Sequence, residues 1–529
     1  MSRYNIVLAM VATVMATGIS SLAKDRGELP NIVLILADDM GVGELSAAGG
    51  LVPTPALDRM AREGMNFTDA HTSSSVCTPT RYGLLTGRYN WRSRLKSGVL
   101  FKATDPALMD PNRLNLPAFL QQVGYHTACI GKWHLGVDWL RHSEELGAGK
   151  KGNKDKSWNI DYSQPFRNGP VDVGFDEAFF ILSSLDMAPY VYLRNDRAEA
   201  IPTVNKSWPH NEYNDYQRVG AAAEDFDAST CLADWTAESR RYIQQRVKDP
   251  SEKPFFLYLS LTSPHTPVTP GKDFKGRFPQ YSWYADFIAE TDWVVEQVLE
   301  QLKESGIDDN TLVVFTADNG FAPYVEIPKM IAAGYCPSGQ FRWAKASIYE
   351  GGHRVPFIVR WPKQVKAGST SDATICTTDF FATFADVVGS KNKIPDNAAE
   401  DSFSFYPNLK GKSEDVRPFT IHHNFKGGFA IRKGDWKLIM GKDGGVGWEL
   451  PWKDVETSAK LVQLYNLKTD PGETKNLEEA NPEIIEELVT DLAKALRDGR
   501  TTPGPKQEND GWPYRDKKTK SAFPQLAEE

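Results

Sequence analysis

NIVLILADD, residues 31–39, places six apolar residues after Asn31 and then two adjacent carboxylates. The run is too short for a core helix and shows no polar alternation, so it reads as a strand covered on both faces. Four more runs share this character: His126–Ile130, Phe255–Leu261, Thr311–Thr316 and Pro356–Arg360. Helical periodicity separates them and is strongest over Ala285–Glu304, where Phe287, Ile288, Val294, Val295, Val298 and Leu302 trace one face. Strands alternating with helices predict an α/β fold, here a large mixed, mostly parallel sheet flanked by helices.

After about Asp401 the pattern changes. Residues 429–440 (FAIRKGDWKLIM) and 461–467 (LVQLYNL) read as strands, and Pro482–Leu496 reads as a helix. They predict a smaller C-terminal antiparallel α+β subdomain, ending in a loosely ordered tail rich in Lys, Pro and Asp. The polar stretch Gly147–Trp158 reads as a surface insertion. The expected organisation is a signal peptide at 1–23, a catalytic domain at 24–400, and the subdomain with its tail at 401–529.

The signal peptide is read from Arg3, the apolar run of residues 6–20 and the small-x-small stretch Ser21-Leu22-Ala23. That run is shorter than the roughly 20 apolar residues of a spanning helix. The expectation is therefore export to the periplasm or beyond the cell, with no membrane insertion of the mature chain. With 529 residues and a formal net charge of -8, the chain is long enough for a large domain plus a small one. Its charge argues against nucleic acid as a partner. Five cysteines leave one thiol over for another purpose, and disulfides among Cys129, Cys231, Cys336 and Cys376 stay open.

Open α/β sheets bind ligands beyond the carboxyl ends of their strands. The 31–37 strand runs into Asp38-Asp39 and the 311–316 strand into Asp318-Asn319. The 126–130 strand leads to Lys132 and His134, and the 255–261 strand to His265. Turn chemistry accounts for any one such ending; four on one sheet point to a site. Asp38, Asp39, Asp318 and Asn319 offer only oxygen, the ligand set of a hard cation such as calcium or magnesium.

Cys77 opens a probable helix, with Pro79 in the first turn and Arg81 one turn on. Three readings are open for it: a small buried hydrophobe, a thiolate activated by the helix N-terminus, or a site of oxidation. The surroundings favour the third. Cys77-x-Pro79-x-Arg81, followed by Leu85-Thr86-Gly87-Arg88, resembles the signature of the formylglycine-dependent (type I) sulfatases of the alkaline phosphatase superfamily. The likeness continues at Asp38-Asp39, Gly131-Lys132-Trp133-His134-Leu135-Gly136, Pro264-His265-Thr266-Pro267 and Asp318-Asn319-Gly320. It ends with Lys345 and Glu350-Gly351-Gly352-His353-Arg354-Val355-Pro356, the order holding from about residue 30 to 480. Thr80 stands where Ser or Ala is frequent and leaves the Cys-x-Pro-x-Arg core intact.

The resemblance implies that a maturation enzyme converts Cys77 to formylglycine (3-oxoalanine). It implies Ca2+ bound by Asp38, Asp39, Asp318, Asn319 and the oxidised Cys77. One hydroxyl of the aldehyde hydrate would attack sulfur, and loss of the proton from the other would expel sulfate. Lys132 and Lys345 would hold sulfate oxygens, and His265 would protonate the leaving oxygen. His134 would act as base for the collapse, and Arg81 would hold the formylglycine. Arg88–Leu100 and Leu185–Tyr190 resemble bacterial carbohydrate sulfatases of the 6-O-sulfo-hexose or hexosamine type. They make a sulfated carbohydrate the expected substrate, with Asp186, His422 and His423 as candidates for sugar hydroxyls. A phosphoester or phosphonate hydrolase of the same superfamily is disfavoured because the Asp/Asn set contains no His. A non-catalytic glycan-binding homologue is disfavoured because Cys77, Arg81, Lys132, His134, His265 and Lys345 are all present.

Overall fold

In the computed structural model, which describes residues 29–142, 156–209, 218–325, 327–445 and 461–528, the run after Asn31 is strand β1 (Asn31–Asp38), buried from Ile32 onward. Nine strands join it: β2 (Met65–Phe67), β3 (His126–Lys132), β4 (Glu177–Ile181), β5 (Leu193–Arg194), β6 (Arg197–Ala198), β7 (Phe255–Pro264), β8 (Thr311–Ala317), β9 (Phe357–Arg360) and β10 (Ser369–Ser371). The sheet order is β10-β2-β9-β8-β1-β7-β3-β4-β5-β6. From β8 through β4 the neighbours run parallel, while β9 joins β8 and β2 antiparallel and β5 and β6 close the other edge. This is the mixed, mostly parallel sheet expected. Every residue of β7 and β8 is buried, as their largely apolar sequences, broken only by Ser and Thr, predict.

Register decides where the chemistry lies. Ala37 pairs with Ala317, Leu36 with Ser260, and Ser260 with Gly131. The carboxyl ends of β8, β1, β7 and β3, four adjacent strands, therefore stop at one level. Helix α1 (Cys77–Thr86) is buried at all ten positions and ends on Gly87 in the left-handed region, φ 63°. Helices α2 (Cys231–Lys248) and α3 (Trp283–Glu304) pack on each other and on β7. The six apolar residues that mark one face of α3 are all buried.

The small sheet is antiparallel, with β11 (Thr420–His423), β12 (Phe429–Lys433), β13 (Trp436–Ile439) and β14 (Gln463–Asn466) in that order. Helix α4 (Pro482–Asp498) lays Leu488, Val489, Leu492 and Leu496 against Ile421, Phe429, Ile431 and Leu464. Phe405 and Leu409 still belong to the larger core, so the chain leaves it later than the composition shift at Asp401.

The tail corrects the expectation of loose order. It forms helix α5 (Lys517–Ala522), capped by Asp516 on the Thr519 N–H, and buries Tyr514 and Leu526 in the second core. A few apolar anchors in polar sequence are enough to pin it. The expected signal peptide, and the insertion up to residue 155, lie outside the described residues. Among those described, no helix is long and apolar enough to cross a membrane. No two of the cysteines are bonded to each other.

Candidate active site

Two turns at the ends of β1 and β8 interlock. The Asp39 N–H donates to Asp318 Oδ1 at 3.1 Å, and Asn319 Nδ2 donates to Asp39 Oδ1 at 2.7 Å. Gly320 follows because a Cβ there would lie 1.9 Å from the Gly351 carbonyl. That contact joins the Asp-Asn-Gly turn to the Glu-Gly-Gly-His segment. Gly131 is required for a similar reason: its φ is 105° and a Cβ would meet the Ser260 carbonyl at 1.8 Å. The tight passage lets β3 deliver Lys132 beside β1.

Lys132 Nζ lies 2.6 Å from Asp38 Oδ2. Arg81 comes from one turn into α1 and donates to Asp318 Oδ2 through Nε at 3.0 Å and Nη2 at 2.7 Å. Its Nη1 donates to the Ser260 hydroxyl, and also to the Lys132 carbonyl at 3.3 Å. Cys77 Sγ lies 3.2 Å from His134 Nδ1. His134 Nε2 lies 2.9 Å from the Leu100 carbonyl, which only accepts, so the neutral ring carries its hydrogen on Nε2 and turns the Nδ1 lone pair to Cys77. Lys345 Nζ is 2.7 Å from both oxygens of Asp39, and His265 Nε2 is 3.6 Å from Asp39 Oδ2. His265 Nδ1 meets the Thr266 carbonyl and, at 3.0 Å, the Ser184 hydroxyl. All ten residues expected to bind metal or act in catalysis therefore meet in one cleft, nearly sealed, with His265 and Lys345 each 5% exposed.

Electrostatics follow from burial and crowding. Burial pushes the Asp38 carboxyl up, but Lys132, His265 and Arg81 overcome it and hold it below its ordinary value. Asp318 is pushed the other way, by burial and by the charge of Asp38. Burial, with Lys132 next, drives His134 well below 6.5 and keeps it neutral. Burial alone would lower Lys345, yet Asp39 raises it well above the usual lysine range.

The fit to a hard cation rests on two atoms. Asp38 Oδ1 and Asn319 Oδ1 are buried, and among the described residues neither has a hydrogen-bond partner. Leaving a buried oxygen unsatisfied costs about 1–3 kcal/mol. Both orphans belong to the all-oxygen donor set, which suits calcium better than zinc.

A second ionic cluster corrects the reading of His422 and His423. His422 is buried with His71 and His353. His71 Nδ1 faces His353 Nδ1 at 3.1 Å, and His71 Nε2 meets Asp69 at 2.7 Å. The rings of His353 and His422 stack 3.8 Å apart at 10°. An imidazole binds a metal in its own ring plane, so two stacked rings do not converge on one ion. Around them Asp69 pairs with Arg354 and Arg432, and Lys437 bridges Glu350 and Glu473. His423 works through its backbone, whose carbonyl accepts from Ser74 Oγ at 2.9 Å and Ser75 N at 3.0 Å. At 0% and 1% exposure, both rings are enclosed by this packing, His422 against His353 and His423 against Phe429. The resemblance that suggested them does not tell a binding cleft from a sealed contact between the two sheets.

Asp186 is partly exposed, 3.6 Å from Arg218, and carries a buried Oδ1 with no partner among the described residues. Sequence reasoning passed over Ser184, Ser260 and Tyr324, which touch His265, Arg81 and Lys345 respectively. Ser184 lies two residues before Asp186, and that proximity was the one available signal.

A family model described as Sulfatase matches residues 30–390. A second, described as N-sulphoglucosamine sulphohydrolase, C-terminal, matches residues 339–502. The N-acetylgalactosamine-6-O-sulfatase of Bacteroides thetaiotaomicron is 32% identical over 511 residues, spanning 88% of this chain and 93% of its own length. Human arylsulfatase A is 31% identical over 507 residues, spanning 90% of each. A solved structure from work on how Bacteroides thetaiotaomicron metabolises multiple glycosaminoglycans superposes with a TM-score of 0.75 at 29% identity, covering 88% of this chain and 99% of that one.

Proposed function

The chain belongs to the sulfatase family and hydrolyses sulfate esters, and from that premise we propose that its substrate is a 6-O-sulfated hexosamine or galactose unit of a sulfated polysaccharide. The relative named for N-acetylgalactosamine-6-O-sulfate, matched over almost the whole of both chains, carries this reading. Asp186, at the end of the segment that also presents Ser184 to His265, is the proposed contact to a sugar hydroxyl.

Asp38, Asp39, Asp318 and Asn319 would hold calcium together with an oxidised Cys77, and the two orphaned oxygens support this. A bound calcium supplies fixed positive charge and acidifies the oxygens it touches. The chain's own residues divide the remaining work. Lys132 and Lys345 bind sulfate oxygens and offset the charge that builds in the transition state. His265 Nδ1–H donates to the Thr266 carbonyl, so it is the imidazolium form, with its second proton on Nε2 facing Asp39, that would hand a proton to the departing alcohol. His134 offers the Nδ1 lone pair to the side chain at position 77 and takes a proton there. Arg81 braces Asp318 and neutralises part of the carboxylate charge.

Formylglycine at position 77 requires a maturation enzyme acting on Cys77. The leader read at 1–23 makes the protein a periplasmic or secreted one. Free sulfate released from hexosamines and galactosides sulfated at the 2, 3, 4 or 6 position tests the substrate. Release from the 6-O-sulfated sugars should be fastest, and faster release from any other position overturns the proposal. Mass spectrometry of the Cys77 peptide from active protein should show the aldehyde in place of the thiol.

A further inference from the structure

Tyr324, five residues beyond Asn319, brings a phenol to the same carboxylate that holds Lys345. Its hydroxyl lies 3.3 Å from Lys345 Nζ and 3.5 Å from Asp39 Oδ2. Lys345 Nζ also sits 5.8 Å from the centre of its ring. An ammonium only donates and a carboxylate only accepts, so the phenol accepts from Lys345 and donates to Asp39. Burial keeps it protonated, the charge of Asp39 adding to that effect against Lys345.

We infer that Tyr324 is a positioning residue that keeps the Lys345 ammonium aimed at the sulfate group during turnover. The inference rests on the reading of Lys345 as a sulfate contact. Lysine carries its charge on a flexible four-carbon stem and must be held to act in one geometry. Asp39 holds it by charge, but Asp39 is also a proposed cation ligand, and what it gives to a cation it withdraws from Lys345. The neutral phenol holds the ammonium from a second side without competing for that charge. The ring beneath adds a weaker attraction.

Rates for Tyr324→Phe, Lys345→Ala and the double variant on nitrophenyl sulfate test this, with free sulfate read over long incubations for the slow variants. Phe keeps the ring in place and removes only the hydroxyl. Tyr324→Phe should lower kcat about tenfold and move KM less than about twofold, as expected for one lost hydrogen bond to a charged group. In the Lys345→Ala background the same change should have no further effect. Equal fractional losses in both backgrounds overturn the proposal, and so does a loss confined to KM. Full activity in Lys345→Ala alone brings down the reading of Lys345 and this inference with it. That outcome is recognised from the single variant, while sulfate release by the unmodified chain stands apart as the test of the substrate.

Discussion

The cleft and the histidine-centred joint between the two sheets are built from the same materials. Each buries three carboxylates among three cations: Asp38, Asp39 and Asp318 with Arg81, Lys132 and Lys345 in one, and Asp69, Glu350 and Glu473 with Arg354, Arg432 and Lys437 in the other. Both hold neutral histidines. They differ in exposure and in which atoms lack a partner. At the joint, Asp69 faces Arg354, Arg432 and His71, and Glu350 faces Lys437 and Arg354. In the cleft, Asp38 Oδ1 and Asn319 Oδ1 accept no hydrogen bond from the described residues, Asp38 Oδ1 lying 3.5 Å from Arg81 Nη2, and His265 and Lys345 keep a narrow exposure. At the joint the atoms likewise without a hydrogen bond among the described residues include Arg354 Nε and His422 Nε2. Charge density, burial and an unpartnered polar atom therefore do not mark a candidate functional site by themselves; unpartnered oxygens within an all-oxygen set beside a narrow opening do.

Paired amide substitutions at the two places break or sharpen this contrast. Asp38→Asn keeps shape but removes a charge from a proposed ligand, so activity should fall at least about a thousandfold. Calcium content by atomic emission should fall with it, and because buried Lys132 loses its carboxylate partner, unfolding in urea should shift by up to about 3–5 kcal/mol, with turnover per folded molecule carrying the contrast. Unchanged metal and rate would place the cation elsewhere.

Within the cleft, His265→Ala and His134→Ala should each lose about a hundredfold or more, with different dependence on the leaving group. Loss of the acid at His265 should hurt sugar sulfates most and nitrophenyl sulfate least. Loss of the base at His134 should hurt both alike. Rates across leaving groups of graded acidity decide it, and equal sensitivity in the two variants sinks the assignment.

The matching change at the joint, Glu350→Gln, leaves Lys437 and Arg354 short of a buried partner. It should cost about 3–5 kcal/mol of stability by denaturant titration, with turnover per folded molecule little changed. A large loss of activity without loss of stability would make the joint part of the site.

The smallest effect is in pH. Burial first, then neighbouring cations and histidines, holds His353 and His422 well below 6.5, and burial holds His71 below it too. His126, His134 and His423 are lowered by burial in the same direction. The unfolded chain takes up protons that the folded one refuses. Stability is therefore complete above about pH 6.5 and falls as the pH drops, by about 1.4 kcal/mol per pH unit for each such histidine. His422→Asn should reduce the slope of stability against pH by about one proton.

Much of the cleft was legible because its residues punctuate apolar runs. Asp38 and Asp318 end strands whose middles leave no doubt about burial, and parallel register brings those ends level without further information. Tyr324 and Ser184 were not legible. Their contacts arise where loops from distant parts of the chain meet, and no local pattern records which hydroxyl will face which nitrogen. His422 was singled out by resemblance, and a residue type in a familiar stretch does not record what its ring packs against. The tail was underestimated because polar composition hides the leverage of Tyr514 and Leu526, each set into a core supplied by other segments.

Cys77 is 3% exposed, at the head of a helix with no exposed residue. Once the chain has closed, a macromolecule large enough to rework that thiol has no route to it. The proposed oxidation would therefore belong to the chain's youth, in the interval between its synthesis and its collapse. Tyr514 and Leu526 lie far downstream of Cys77, and they help seal a core that also takes in Tyr89 and Trp91, just beyond the Cys77 helix. The order of amino acids thus sets a clock: position 77 is made well before the parts that lock it away.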